Sequence, residues 1–175
     1  MLAGRRGGAT AGADELRAEL VGLGAEVTFA ACDLTDRDAV AELLDEIPSL
    51  TAVVHAAGIE RSAAVAELDA TDLAEVLAAK VDGARHLHEL LADRPLDAFV
   101  VFSSIAGVWG SGGQGAYAAA NAYLDALVAH RRAVGLPGTA VAWGPWDGGG
   151  MVANAGQGAA DHLRRRGLPA MAPAV

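Results

Sequence analysis

Four side chains in the middle of this sequence, Lys80, Ser104, Tyr117 and Asn121, are of the types that hydride transfer to a carbonyl needs. Hydride added to a ketone leaves negative charge on oxygen, so a site must supply a proton and hydrogen-bond donors there. A free tyrosine, with a pKa near 10, is a poor acid–base partner at neutrality. A nearby ammonium favours the phenolate, and a serine hydroxyl can polarise the carbonyl. Twelve of the thirteen basic residues are arginine, and Lys80 is the single lysine. A compact ammonium and a planar guanidinium are not interchangeable, so the one lysine marks a position where arginine does not serve. Asn121 follows Tyr117 by one helical turn and shares its face.

These residues need a scaffold, and apolar β-branched runs alternating with helical periods predict one. ADELRAELVGLG reads as a helix ending at Gly24 and EVTFAACD as a strand. Thr35 is the expected N-cap of the helix DRDAVAELLDEI, with Asp36 and Asp38 in its first turn. Strand LTAVVHAAG, helix DATDLAEVLAAKVDGARHLHELLA and strand LDAFVVFSS follow. A long helix from Gln114 to Ala133, strand GTAVAWG and a tail with the short helix AADHLRRRG complete the chain. The alternation predicts an α/β fold, a Rossmann-like parallel sheet with helices on both faces. Ligands bind such sheets beyond the carboxyl ends of the strands. Asp33, His55 to Gly58, Ser103–Ser104 and Trp143 to Trp146 all fall on that rim.

Composition narrows the function classes. A length of 175 residues suits one domain with a real core, and 53% hydrophobic content with 22 glycines fits a compact protein. A net charge of −9 argues against nucleic-acid or anionic-membrane partners. Cys32 is the one cysteine, which rules out an internal disulfide and a cysteine-rich metal site. His86 and His88 read as helix-packing or exposed residues, not metal ligands. MLAGRRGGAT has no apolar core for a secretory signal, and no run approaches the roughly 18 apolar residues of a membrane span. A cytoplasmic location is the default expectation.

A dinucleotide fold opens with a strand, a Gly-rich turn and a helix whose N-terminus takes the pyrophosphate. GRRGGATAGADEL starts too late for that unit, so the expectation is a domain lacking its first strand and phosphate loop, cut at both ends. Gly110-Ser-Gly112-Gly113-Gln-Gly115 matches G-x-G-x-x-G but stands too far from its strand, and no acidic residue closes the next one. An active-site loop explains those glycines better.

With Lys80, Ser104 and Tyr117-Ala-Ala-Ala-Asn121 in place, the sequence resembles the ketoreductase domain of modular type I polyketide synthases, a branch of the short-chain dehydrogenase/reductase superfamily. Ordinary superfamily members carry Tyr-x-x-x-Lys with an asparagine on the preceding long helix; here the two are exchanged. Lys80 lies thirty-seven and Ser104 thirteen residues before Tyr117. The resemblance spans residues 1–175, including ACDLTDRDAV, AVVHAAG, NAYLDALVAHRRAVGLP and AVAWGPW, with residues 147–175 beginning a substrate lid.

What the resemblance implies is specific. Tyr117 would donate the proton, Ser104 polarise the carbonyl, Lys80 tune Tyr117 and contact the ribose, and Asn121 orient Lys80. Arg5, with Arg6, would clamp the 2′-phosphate of NADPH. Asp33 and Leu34 would contact adenine, His55, Ala56, Ala57 and Gly58 would face the cofactor, and Gly144, Pro145 and Trp146 would pass the nicotinamide. B-type domains carry Leu-Asp-Asp shortly after this glycine, whereas this chain has Ile59-Glu-Arg-Ser62. A-type domains carry a tryptophan eight residues before the tyrosine, and Trp109 is there; Gln114 resembles the A1 subtype, and Met151 begins the lid. The implied reaction is reduction of a β-ketoacyl thioester on the phosphopantetheine arm of an acyl carrier domain to an L-β-hydroxyacyl thioester, among other synthase domains.

The residues leave duller readings open. His55 can be structural, Trp109 core filler, Asp33 a helix-start residue and Cys32 a small buried hydrophobe. The alternative function is a non-catalytic, truncated ketoreductase piece with a structural role, which the intact set of four argues against. A sugar-nucleotide epimerase or dehydratase is disfavoured because those resemble the Tyr-x-x-x-Lys pattern, absent here.

Overall fold

The computed structural model describes residues 1–59, 61, 63–110, 112–147, 161 and 163–173. Five strands alternate with helices in the order β1 (Leu2–Gly4), α1 (Ala13–Gly22), β2 (Phe29–Ala31), α2 (Arg37–Asp45), β3 (Ala52–His55), α3 (Ala70–Leu77), α4 (Gly83–Leu90), β4 (Ala98–Ser104), α5 (Ala106–Trp109), α6 (Gly115–Ala133) and β5 (Thr139–Trp143). Every strand pair is parallel, as helical crossovers require. β1 and β2 form one ladder and β3-β4-β5 a second. The α/β parallel architecture is the one the sequence predicts. No helix among the described residues is long and apolar enough to cross a membrane.

β4 is the central strand of its ladder. Its alternating residues Phe99, Val101 and Ser103 are buried, and two of them meet α6. The Phe99 ring lies under the Arg131 guanidinium at 3.9 Å, and Ser103 Oγ donates to the Asn121 carbonyl at 3.3 Å. The main core gathers Val40 and Leu44 of α2, Leu87 of α4, Phe99 and Val101 of β4, and Leu124 and Val128 of α6. Cys32 is buried beside it.

Two local expectations are corrected. The N-cap of α2 is Asp36, whose carboxylate accepts from the Asp38 and Ala39 amides at 3.0 and 3.1 Å. Thr35 instead bonds back to Asp33 through its amide and hydroxyl. An aspartate suits this cap well because its charge also opposes the helix dipole. The expected single helix from Asp69 to Ala92 is divided: α3 and α4 are joined by a π-helical turn, Ala78–Asp82, that contains Lys80. Turns of this kind recur at functional sites, because the extra residue displaces a side chain from the regular α spacing.

Candidate active site

The π turn puts the single lysine in the interior. Lys80 is 4% exposed, and its Nζ donates to the Phe102 carbonyl of β4 at 2.8 Å. Gly58, three residues past β3, makes room for its stem: a Cβ there would stand 2.8 Å from Lys80 Cε. Burial pushes the ammonium down to about 8, against the pull of the Asp125 carboxylate, which favours the charged form.

From this position Nζ stands 5.7 Å from the centroid of the Tyr117 ring, within the range of cation–π attraction. Tyr117 is in the first turn of α6. Ser104 ends β4 two residues beyond Phe102, and its Oγ accepts from the Ala106 amide at 3.2 Å, which leaves the hydroxyl hydrogen available to a substrate. Lys80, Tyr117 and Ser104 thus gather around the carboxyl end of β4.

Asn121 is fully buried on the same helix face, but its amide turns inward along α6. Nδ2 donates to the Tyr117 carbonyl at 2.8 Å, and Oδ1 is buried with no hydrogen-bond partner. The expected orienting bond from Asn121 to Lys80 is therefore not made here. A partnerless buried acceptor is costly and aims an oxygen at the interior beside the site. Asp125, one further turn along, was not singled out in the sequence, although its spacing of four from Asn121 and eight from Tyr117 carried the signal.

The other residues expected at a cofactor lie along the carboxyl ends of the strands. Arg5 and Arg6, exposed just beyond β1, line with Thr10 an open depression of the surface. Asp33 beyond β2 is held below the usual carboxylate range by the Thr35 amide and hydroxyl and by Arg5. Leu34 lies half-buried behind it. Ala56 and Ala57 follow β3, and Gly144, Pro145 and Trp146 follow β5. The rings of Trp143 and Trp146 lie 4.9 Å apart, and Pro145 and Asp147 pair with Met171 of the returning tail. His55 is only 2% exposed and its Nε2 bonds the Lys80 carbonyl at 3.2 Å, so it sits beneath the rim. His86 likewise is buried, its Nδ1 on the Leu34 carbonyl, and no group of metal-ligating residues occurs among those described.

α5 carries Trp109, 70% exposed, and Gln114 begins the turn into α6. Gln114 also bridges to Ala63, whose amide donates to the Gly113 carbonyl at 2.8 Å. Met151 lies outside the described residues.

The KR domain family model matches residues 1–148. The chain is 58% identical to the polyketide synthase GfsA of Streptomyces halstedii and 52% identical to the pikromycin polyketide synthase component PikAIII of Streptomyces venezuelae. Each alignment covers 99% of this chain, but 2% of the first protein and 11% of the second. A solved A1-type ketoreductase superposes with a TM-score of 0.91 at 55% identity, covering 98% of this chain and 37% of that one. PlmKR1, from the first module of phoslactomycin biosynthesis in Streptomyces sp. HK803, gives a TM-score of 0.91 at 46% identity, over 98% and 40%. A buried lysine against a helix-borne tyrosine, on a parallel sheet with this sequence kinship, places the chain in the KR domain family, the ketoreductase domains of modular polyketide synthases.

Proposed function

We propose that this chain carries the catalytic centre of an NADPH-dependent ketoreductase. Its substrate is a β-ketoacyl thioester on the phosphopantetheine arm of an acyl carrier domain, and its product the L-β-hydroxyacyl thioester. The observation that carries this reading is the buried Lys80 ammonium 5.7 Å from the Tyr117 ring, beside the strand end that presents Ser104.

NADPH suits the residues present. The exposed guanidiniums of Arg5 and Arg6 suit a 2′-phosphate, which a planar fork binds in two-pronged fashion. By likeness to the family's pattern, Asp33 and Leu34 are assigned to the adenine, and Ala56, Ala57 and Gly58, with Gly144, Pro145 and Trp146, to the rest of the cofactor. NADPH, when bound, supplies the hydride. Tyr117 donates its hydroxyl proton to the carbonyl oxygen as charge builds there, and Ser104 donates a hydrogen bond to the same oxygen. Lys80 stabilises the tyrosine's developing negative charge and offers its remaining N–H groups to the ribose.

Trp109, Gln114 and the absence of Leu-Asp-Asp after Gly58 support the L product. Other synthase domains are the proposed neighbours, in a cytoplasmic assembly. The test is titration of the 175-residue chain with NADPH, read by energy transfer from its three tryptophans to the nicotinamide. A β-ketoacyl thioester assay follows, with Tyr117→Phe as control. Binding and Tyr117-dependent turnover support the reading. A folded chain that binds no NADPH supports the non-catalytic alternative.

A further inference from the structure

Lys80 is gripped at three points. Its ammonium donates to the Phe102 carbonyl, its stem lies against Gly58, and its own main-chain carbonyl is 3.2 Å from Nε2 of His55. A carbonyl only accepts, so Nε2 carries the hydrogen, and Nδ1 is the bare nitrogen of the ring. That Nδ1 is buried and has no hydrogen-bond partner. A ring kept for packing alone would do better as phenylalanine, since an orphaned buried acceptor is unfavourable. The imidazole therefore earns its place through Nε2.

In the π turn the Gly83 amide is shared between the Ala78 and Lys80 carbonyls. His55 adds a donor to the Lys80 carbonyl from β3, outside the helix. Gly83 admits it: a Cβ there would stand 3.2 Å from His55 Cε1.

We propose that His55 is a positioning residue, fixing the Lys80 carbonyl within the π turn and so setting where the ammonium meets Tyr117 and Phe102. This deepens the ketoreductase reading and rests on it for its consequence in catalysis, though its geometric content stands alone. The charge acting on His55 is that of Lys80, and Asp125 of α6 acts in turn on Lys80. Burial pushes the His55 imidazole down to about 4, so it is neutral wherever the enzyme works.

Because Lys80 is the single lysine, ¹³Cε-lysine labelling of the full chain gives one signal that titrates with its ammonium. His55→Phe fills the space without a donor, and His55→Gln restores an N–H at similar reach. The wild-type midpoint is expected near 8. In His55→Phe it moves by about one pH unit or more toward the ordinary lysine value as the freed ammonium gains water, and His55→Gln returns it. A folded His55→Phe chain, checked by tryptophan emission and circular dichroism, with an unmoved midpoint overturns the proposal. Should His55→Phe not fold, ¹⁵N-histidine correlation spectra of the wild-type chain decide, with the His55 signal identified by its loss in His55→Gln. An Nε2–H tautomer supports the proposal, and an Nδ1–H tautomer overturns it. NADPH-dependent turnover is measured separately: its absence in wild type would sink the ketoreductase reading and leave the lysine titration as a test of the geometry.

Discussion

Gly58 and Lys80 are in contact beyond the end of β3, and the contact has no room for a methyl group: a Cβ on Gly58 would lie 2.8 Å from Lys80 Cε. The same Cβ would stand 3.0 Å from Cγ and 3.3 Å from Cδ of this buried side chain, so the lysine itself must shift. Gly58→Ala should therefore lower the unfolding free energy by about 1–3 kcal/mol. It should lower kcat/KM by about 100-fold, because a displacement near 1 Å in a reacting group costs that much. Urea unfolding and NADPH oxidation kinetics on the same preparation check both halves.

The lysine also sets a pH dependence. Its ammonium, pushed down to about 8, is lost as pH rises through that value, so the reduction rate should fall on the alkaline side with a midpoint near 8. Stability runs the other way. The unfolded chain binds the lysine proton up to its ordinary value near 10.5 and the folded chain releases it near 8. Unfolding thus takes up a proton between those values, and stability rises with pH across that window. Lys80→Met should abolish turnover, raise stability at pH 7 by at most about 3 kcal/mol, and remove the alkaline rise. Unfolding midpoints at pH 7, 8.5 and 10 for both chains check this.

Which parts of this site were readable in the sequence follows from how local each signal is. The spacing of Tyr117 and Asn121 is fixed by the helical period, and Ser104 by the end of an apolar run, so both fell where expected. The scarcity of lysine pointed to Lys80. The π turn at Ala78–Asp82 left no mark, because its helical pattern continues on both sides. The inward turn of the Asn121 amide onto the Tyr117 carbonyl was equally hidden. Leu2–Gly4 is a strand through pairing with Phe29–Ala31, a partner distant in the sequence.

Acid should weaken the fold well above the carboxylate range. His55 is held down to about 4 by burial. His88 is also held below its ordinary value, first by burial and then by Arg131 and His130. The Arg131 guanidinium donates to His88 Nδ1 at 2.9 Å, and a protonated ring could not accept that bond. Both groups favour the folded state fully above pH 6.5, and that contribution is lost as pH falls toward their folded values. His55 alone accounts for about 3 kcal/mol by pH 4. Urea midpoints should already drop between pH 6.5 and 5, where carboxylates scarcely titrate, and His88→Gln should shrink that drop.

Arg131 gives the largest expected loss from one substitution. It is fully buried, stacks on Phe99 at 3.9 Å, and donates from Nε to the Pro137 carbonyl at 2.9 Å as well as to His88. Arg131→Ala removes the stem from the core and strands these partners, and should cost about 3–5 kcal/mol. Arg131→Lys should recover little of this, because a point ammonium cannot stack flat and bond two directions together. Thermal unfolding of the two variants checks the order.

Arg61 should behave oppositely, changing kinetics without changing stability. Its guanidinium is exposed and bonds two carboxylates of α3, Asp72 at 3.4 Å and Glu75. Two residues later the Ala63 amide is tied to the Gly113 carbonyl, and Val65 lies against Gly115 at the start of the tyrosine's helix. Arg61 is therefore tied to α3, and Ala63 to Gly113 and Gln114 ahead of α6. Solvent-exposed ion pairs contribute little to global stability and are screened by salt. Arg61→Gln should leave the unfolding midpoint unchanged while raising KM for a β-ketoacyl thioester several-fold at low ionic strength. Adding salt should carry wild-type KM toward that of the variant, whose own KM stays nearly flat, because screening then removes a latch the variant already lacks. Parallel salt dependences in the two chains would show that Arg61 does not act as such a latch.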